Sequence, residues 1–198
     1  MMEYPTEFDY KTNALFKGAA DSHLNACVGD NGGPYDFAAY GRGFFDGAKL
    51  IVDAAKAGNP YVDILVYPAA FSYRHGIELY LKHLFQKLVE LNRGDQPYDK
   101  THGIERFWKD VRGELVKQPA LEIDEQIADA TAIIGAFCEI DPSGQVFRYP
   151  EDIKGNPHLK ELRLINLRVL GEGMERLHHH FVDWQYWIEA RIEQRNDL

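Results

Sequence analysis

An all-α, single-domain helical bundle is the fold the sequence predicts, and three observations predict it. Apolar residues recur every three or four positions through most of the chain, the period of a helix that buries one face. The periodic stretches open at capping residues and close at glycine or proline, where helices start and stop. No strand-like alternation of useful length and no internal repeat interrupts them, so about six main helices packed on one another account for the pattern. With 198 residues, 45% of them hydrophobic, the chain can bury one core and has no need of a second.

The organisation divides into an N-terminal segment at 1–35, partly irregular, and a helical bundle at 36–198. In the first segment Phe8, Leu15, Phe16, Ala19 and Leu24 offer one weak helix before Asp30, Asn31, Gly32, Gly33 and Pro34 break the chain. Asp36 can then cap a helix whose stripe is Phe37, Tyr40, Phe44, Ala48, Ile51 and Ala55, ending at Gly58. Gly41, Gly43 and Gly47 in that helix superficially resemble a phosphate-binding loop. No strand precedes them, so close helix packing is the reading for these glycines. Asn59 and Pro60 form a cap and first-turn pair for the next helix, which Pro68 should kink or restart.

The most strongly helical stretch runs from 69 to 93, with Ile77, Leu81, Leu84, Leu88 and Leu91 on one face and Gly94 and Pro97 beyond its end. Thr101 can cap a shorter helix carrying Ile104, Phe107, Trp108, Val111 and Leu115. Asp124 starts another with Ile127, Ala130, Ile134 and Phe137 inward. The sequence DPSGQVFRYP at 141–150 interrupts the helices with a type I turn signal, and Pro150 should push Tyr149 toward an extended conformation. Asn156 and Pro157 could begin the last helix, although Gly155 and the polar run before Leu162 leave its start open. From Leu167 the stripe is clean: Leu167, Leu170, Met174, Leu177, Phe181, Trp184, Ile188 and Ile192 make a central packing surface or a dimer seam.

Charge and composition narrow the function. Twenty-two basic against 31 acidic residues give a net charge of -9, which opposes a bulk electrostatic grip on nucleic acid but leaves room for a local basic pocket. The opening MMEYPTEFDY has no basic region followed by an apolar run. No apolar run approaches the ~20 residues of a membrane span, so a cytoplasmic protein without membrane contact is expected. Cys27 and Cys138 lack metal-ligand spacing and read as two buried, reduced thiols. No cofactor is expected. The run His178, His179, His180 does not make a metal site, because consecutive helical residues point ~100 degrees apart and cannot converge on one ion.

The candidate site residues begin with Arg74, Glu78 and Lys82, each four apart and stacked along one helix edge as cation, anion and cation. Arg74 lies about 40 degrees from the middle of the apolar stripe. Two readings stand: a surface ion-pair ladder, or a cation near the core that must be paired to tolerate desolvation. His75 sits beside it on the more polar side, and His102 opens the following helix. In the interruption, Asp141 serves the turn through its side chain, while Phe147 and Tyr149 plug the core. Arg148 between those aromatics can grip a carboxylate or phosphate, or pair with Glu78. Arg176 and His180 are four apart on one outer face of the last helix, either as a solvated face or as an acid-base pair.

The blocks Tyr73-Arg74-His75-Gly76-Ile77-Glu78-Leu79 with Lys82, then Thr101-His102, then Phe147-Arg148-Tyr149-Pro150, resemble HEPN-like helical proteins of prokaryotes. The resemblance spans roughly 36–190. It implies a bundle that forms homodimers, and either a module binding an anionic ligand, nucleotide or RNA, or a metal-independent ribonuclease of a defence, toxin-antitoxin or regulatory system with a cognate antitoxin or partner protein. A non-catalytic structural or oligomerisation role is the third reading. The family blocks put ligand binding at Arg74, His75, Glu78, Lys82, His102, Asp141, Arg148 and Tyr149. Active family ribonucleases carry an arginine followed by a histidine after four to six intervening residues. This sequence has no such pair, and its nearest counterpart, Arg176 with His180 as catalytic candidates, has three between them.

Overall fold

The computed structural model describes residues 14–29, 31–33, 35–92, 103–118 and 123–197. The chain forms two units, Met1–Tyr35 and Asp36–Leu198. In the first, the described residues hold a single short 3-10 turn at Ser22–Leu24. Asn25 braces it by bonding both the N–H and the carbonyl of Ala19. The weak helix expected there does not form over 14–29. Leu15, Phe16 and Leu24, which were to be its inner face, are exposed; Phe8 lies outside the described residues.

The second unit is all-helical, with five helices among the described residues: α1 (Phe37–Lys56), α2 (Val62–Leu91), α3 (Ile104–Leu115), α4 (Asp124–Ile140) and α5 (Leu167–Asn196). Among those residues the only β pairing is an isolated bridge between Glu151 and Pro157. The expected count of about six is one too many because α2 runs unbroken through Pro68. The missing proline N–H leaves the carbonyl of Ile64 without its in-helix partner. Ile64 is an exposed position, where that carbonyl is open to solvent instead of being stranded in the core. No helix among the described residues is long and apolar enough to cross a membrane.

Helix α2 is the centre of the bundle and packs on α1, α3 and α5. Ile77, Leu81, Leu84 and Leu88 are fully buried on its expected face, joined by Tyr80. The expected inner faces of α3, α4 and α5 also hold, with Phe181 and Trp184 at the heart of the core. Helix α1 differs. Its buried residues are Ala38, Gly41, Phe45, Ala48 and Val52, so of the predicted stripe only Ala48 is fully inside, and Tyr40 is exposed.

Close approach explains that rotation. A Cβ on Gly41 would lie 2.9 Å from the Tyr80 ring, and one on Gly76 would lie 2.6 Å from the Phe45 ring and 3.2 Å from the carbonyl of Gly41. The small face lets the two backbones meet, with the Phe45 and Tyr80 rings packed over the contact. Gly43 and Gly47 meet nothing within 4 Å, so close packing accounts for Gly41 alone.

Asp36 caps α1 by accepting from the Ala39 N–H, as expected. The last helix starts at Leu167 with Asn166 as its cap, accepting from the N–H groups of Arg168 and Val169. Asn156 and Pro157 therefore belong to a connecting segment, in which the Asp152 carboxylate binds the N–H groups of Lys154 and Asn156. Both cysteines are free; Cys138 is half-buried, but Cys27 is exposed rather than buried. Trp187 is half-buried against the core, with Arg191 5.3 Å over its ring, whereas Tyr186 is exposed.

Candidate functional site

The cation on the apolar side of α2 is internal. Arg74 is 6% exposed, and its Nε donates to the Asp141 carbonyl at 3.2 Å and lies 3.6 Å from the Asp141 carboxylate. Its Nη1 reaches Glu78 at 3.5 Å. Asp141, 1% exposed, turns its other carboxylate oxygen to the N–H groups of Gln145 and Val146. Gly144, at φ 76°, crosses the guanidinium so closely that a Cβ there would sit 2.6 Å from Nη1. Arg74 therefore clamps the 141–150 loop to α2, its charge met by two carboxylates and a carbonyl.

The predicted ladder continues from this clamp. Lys82 meets Glu78 at 2.7 Å and lies 5.5 Å over the Phe107 ring. The Lys82 side chain is 14% exposed and that of Glu78 23%, so the ladder is largely internal and the surface reading fails. His75 packs edge-on to Phe44 and parallel to Phe71. Burial lowers its pKa, with Glu78 opposing and the cations Lys82, Arg74 and Arg148 adding to the effect, which holds the ring neutral.

Helix and loop meet through Asp141 and Gly144. Glu78 is occupied by Arg74 and Lys82, and no contact joins it to Arg148. Phe147 plugs the core against Phe137, as expected. Tyr149 does not: it is exposed, and Arg148, also exposed, lies 5.2 Å over its ring. The N–H groups of both residues donate to the Gln145 carbonyl, closing a tight turn at 146–148 that delivers Tyr149 to the surface. His102 and Thr101 lie outside the described residues.

Arg176 and His180 are joined by a residue the sequence reading passed over. Asp129 of α4 takes two bonds from Arg176, at 3.2 and 3.4 Å, and one from His180 Nε2 at 3.0 Å. These contacts hold the Asp129 carboxyl below its usual range, the Arg176 bond being the largest cause. His180 stacks on Trp184, whose indole N–H donates to Gln126. Asp129 could have been found only by registering α4 against α5, since its own helix carries it on the flank of the stripe.

A second polar group also escaped the sequence. The Tyr80 hydroxyl and His178 Nε2 are 2.8 Å apart between α2 and α5, with Phe45 stacked on the imidazole. Arg42 sits against both Tyr80 and Tyr186, which raise its pKa. Burial raises the pKa of Tyr80 and lowers that of His178, so both stay neutral and the pair acts as a hydrogen-bonded link. Tyr80 falls within the apolar face of α2, and nothing in its spacing marks it as polar. Among the described residues no three His, Cys, Asp or Glu side chains are placed to hold a metal ion.

Compared with known proteins, the chain matches no family model, no curated protein and no solved structure.

Proposed function

We propose that this chain is a HEPN-like helical module that binds an anionic ligand, a nucleotide or RNA, through the 141–150 loop. The observation that carries the reading is the division of labour among its cations. Arg74 and Lys82 are spent inside the protein, whereas Arg148 is exposed and lies over the exposed ring of Tyr149. An arginine on an aromatic face offers a phosphate two parallel donors and a base a stacking surface. The Arg74 clamp fixes the loop beforehand, so little ordering entropy is lost on binding. The net charge of -9 restricts the grip to this local patch and makes it salt-sensitive. A homodimer in a defence, toxin-antitoxin or regulatory system, with a cognate protein partner, belongs to the same reading.

A metal-independent ribonuclease is the second reading, and Asp129 favours it. The RNA 2′-hydroxyl would be the nucleophile, His180 the proton-transfer group oriented by Asp129, and Arg176 the stabiliser of the phosphorane. The bond from His180 Nε2 to Asp129 leaves only Nδ1, the nitrogen nearer the backbone, for the substrate, so binding without cleavage is preferred. The test is incubation of purified protein with mixed RNA in EDTA, comparing wild type, Arg148→Ala and His180→Ala. Binding lost with Arg148→Ala, without cleavage, supports the proposal. Cleavage abolished by His180→Ala alone replaces it with the second reading, and neither binding nor cleavage leaves a structural or oligomerisation role.

A further inference from the structure

Between α4 and α5 the bundle opens into a groove of about 400 Å³ that the proposed nucleotide grip by Arg148 and Tyr149 does not use. Its walls are hydrocarbon: Ile133 and Ile140 from α4, Val169 and Leu170 from α5, and Leu162 and Ile165 from the segment before α5. Ala132, Ala136 and Gly173 keep it open, and a Cβ on Gly173 would meet nothing within 4 Å. Polarity is confined to Asp129 and Arg176 among its lining side chains.

The chemistry of those two groups selects a ligand. Asp129 already accepts three hydrogen bonds, from Arg176 twice and from His180 once. Arg176 uses Nε and Nη2 on Asp129 and Nη1 on the Glu172 carbonyl, so two of the five N–H groups of a guanidinium remain, on a side chain 57% exposed. The unspent capacity is therefore mainly for donation, which suits an anion. A concave apolar site of this size with few convergent polar groups is the form of a small-molecule site. We infer that the groove between α4 and α5 binds an amphipathic monoanion of the alkyl carboxylate class, its chain along the hydrocarbon walls and its head group on Arg176. Arg148 and Tyr149 take no part, so this site and the nucleotide site fail or stand separately.

The test is calorimetric titration with octanoate, decanoate and dodecanoate below their micelle concentrations, and with decanol and decylamine as head-group controls. Affinity is expected to rise roughly fourfold per methylene, the gain for moving one into an apolar site. Decanoate should bind at least tenfold tighter than decanol or decylamine. Gly173→Leu, whose added side chain enters open space, should keep the wild-type far-ultraviolet spectrum and weaken every chain length. Arg176→Gln should weaken the carboxylates and leave decanol unchanged. No dodecanoate binding, affinity independent of chain length, tighter binding of decylamine, or indifference to Gly173→Leu would each overturn the inference. So would a wild-type dimer that Gly173→Leu splits without any carboxylate bound, since a second copy would then cover the groove.

Discussion

Replacing Arg74 by methionine keeps most of the apolar stem and removes the charge that holds the 141–150 loop. Asp141 would remain 1% exposed, with one carboxylate oxygen still bonded to the N–H groups of Gln145 and Val146. Its other oxygen has no hydrogen bond and depends on the guanidinium 3.6 Å away. Breaking a buried pair from one side costs ~3–5 kcal/mol. The retained bonds to Asp141, and the Lys82 partner left to Glu78, place this case near ~3 kcal/mol. Against a total stability of roughly 5–15 kcal/mol that is a large fraction.

At a urea m-value of ~2–3 kcal/mol/M, the unfolding midpoint should fall by ~1–1.5 M with m unchanged. Adding Asp141→Asn removes the stranded charge, so the double variant should lose less than the two single losses added together. Equilibrium unfolding followed by tryptophan fluorescence measures both, because Trp108 and Trp184 are buried. A loss under ~1 kcal/mol for Arg74→Met, or strict additivity in the double variant, would refute the clamp.

Other outcomes follow from the same packing. Gly76→Ala should destabilise by ~1–2 kcal/mol because its Cβ meets the Phe45 ring at 2.6 Å, whereas Gly43→Ala, with nothing within 4 Å, should stabilise by ~0.5–1 kcal/mol; opposite signs in thermal or urea unfolding are the check. Because burial depresses the pKa of His178, the unfolded chain binds a proton at that site more readily. The stability this site contributes is fully present above about pH 6.5 and is lost as pH falls through the lower folded-state value, so urea midpoints should drop toward acid and His178→Gln should flatten the drop. Sedimentation at tens of micromolar should give a dimer, and a monomer there would remove that part of the functional reading.

Much of the fold was legible because period, caps and stops agreed. The faces of α3, α4 and α5 and the cap at Asp36 needed nothing beyond local pattern. The face of α1 was misread because hydrophobicity ranks Tyr40 and Phe44 above Gly41, while packing against Gly76 rewards the absence of a side chain. Pro68 was weighed as a breaker on local grounds, and tertiary contacts carried α2 through it.

The candidate site was legible in its parts. The angle of Arg74 to the stripe marked it as a cation near the core but left burial and a surface ladder both open, and Asp141 was marked by its turn. That they would meet each other, leaving Arg148 outside, depended on a loop crossing that Gly144 alone permits. Asp129 and the Tyr80–His178 pair lay beyond reach because each is defined by a contact between helices distant in sequence.

Fluorescence anisotropy of a labelled single-stranded RNA in EDTA, titrated with wild type and with Arg148→Ala at two salt concentrations, tests the central claim most directly. Loss of the cation and its stacking surface should weaken binding roughly tenfold or more and reduce the salt dependence by about one phosphate contact. Equal affinity and equal salt dependence for the two proteins, or no binding by wild type, would contradict it.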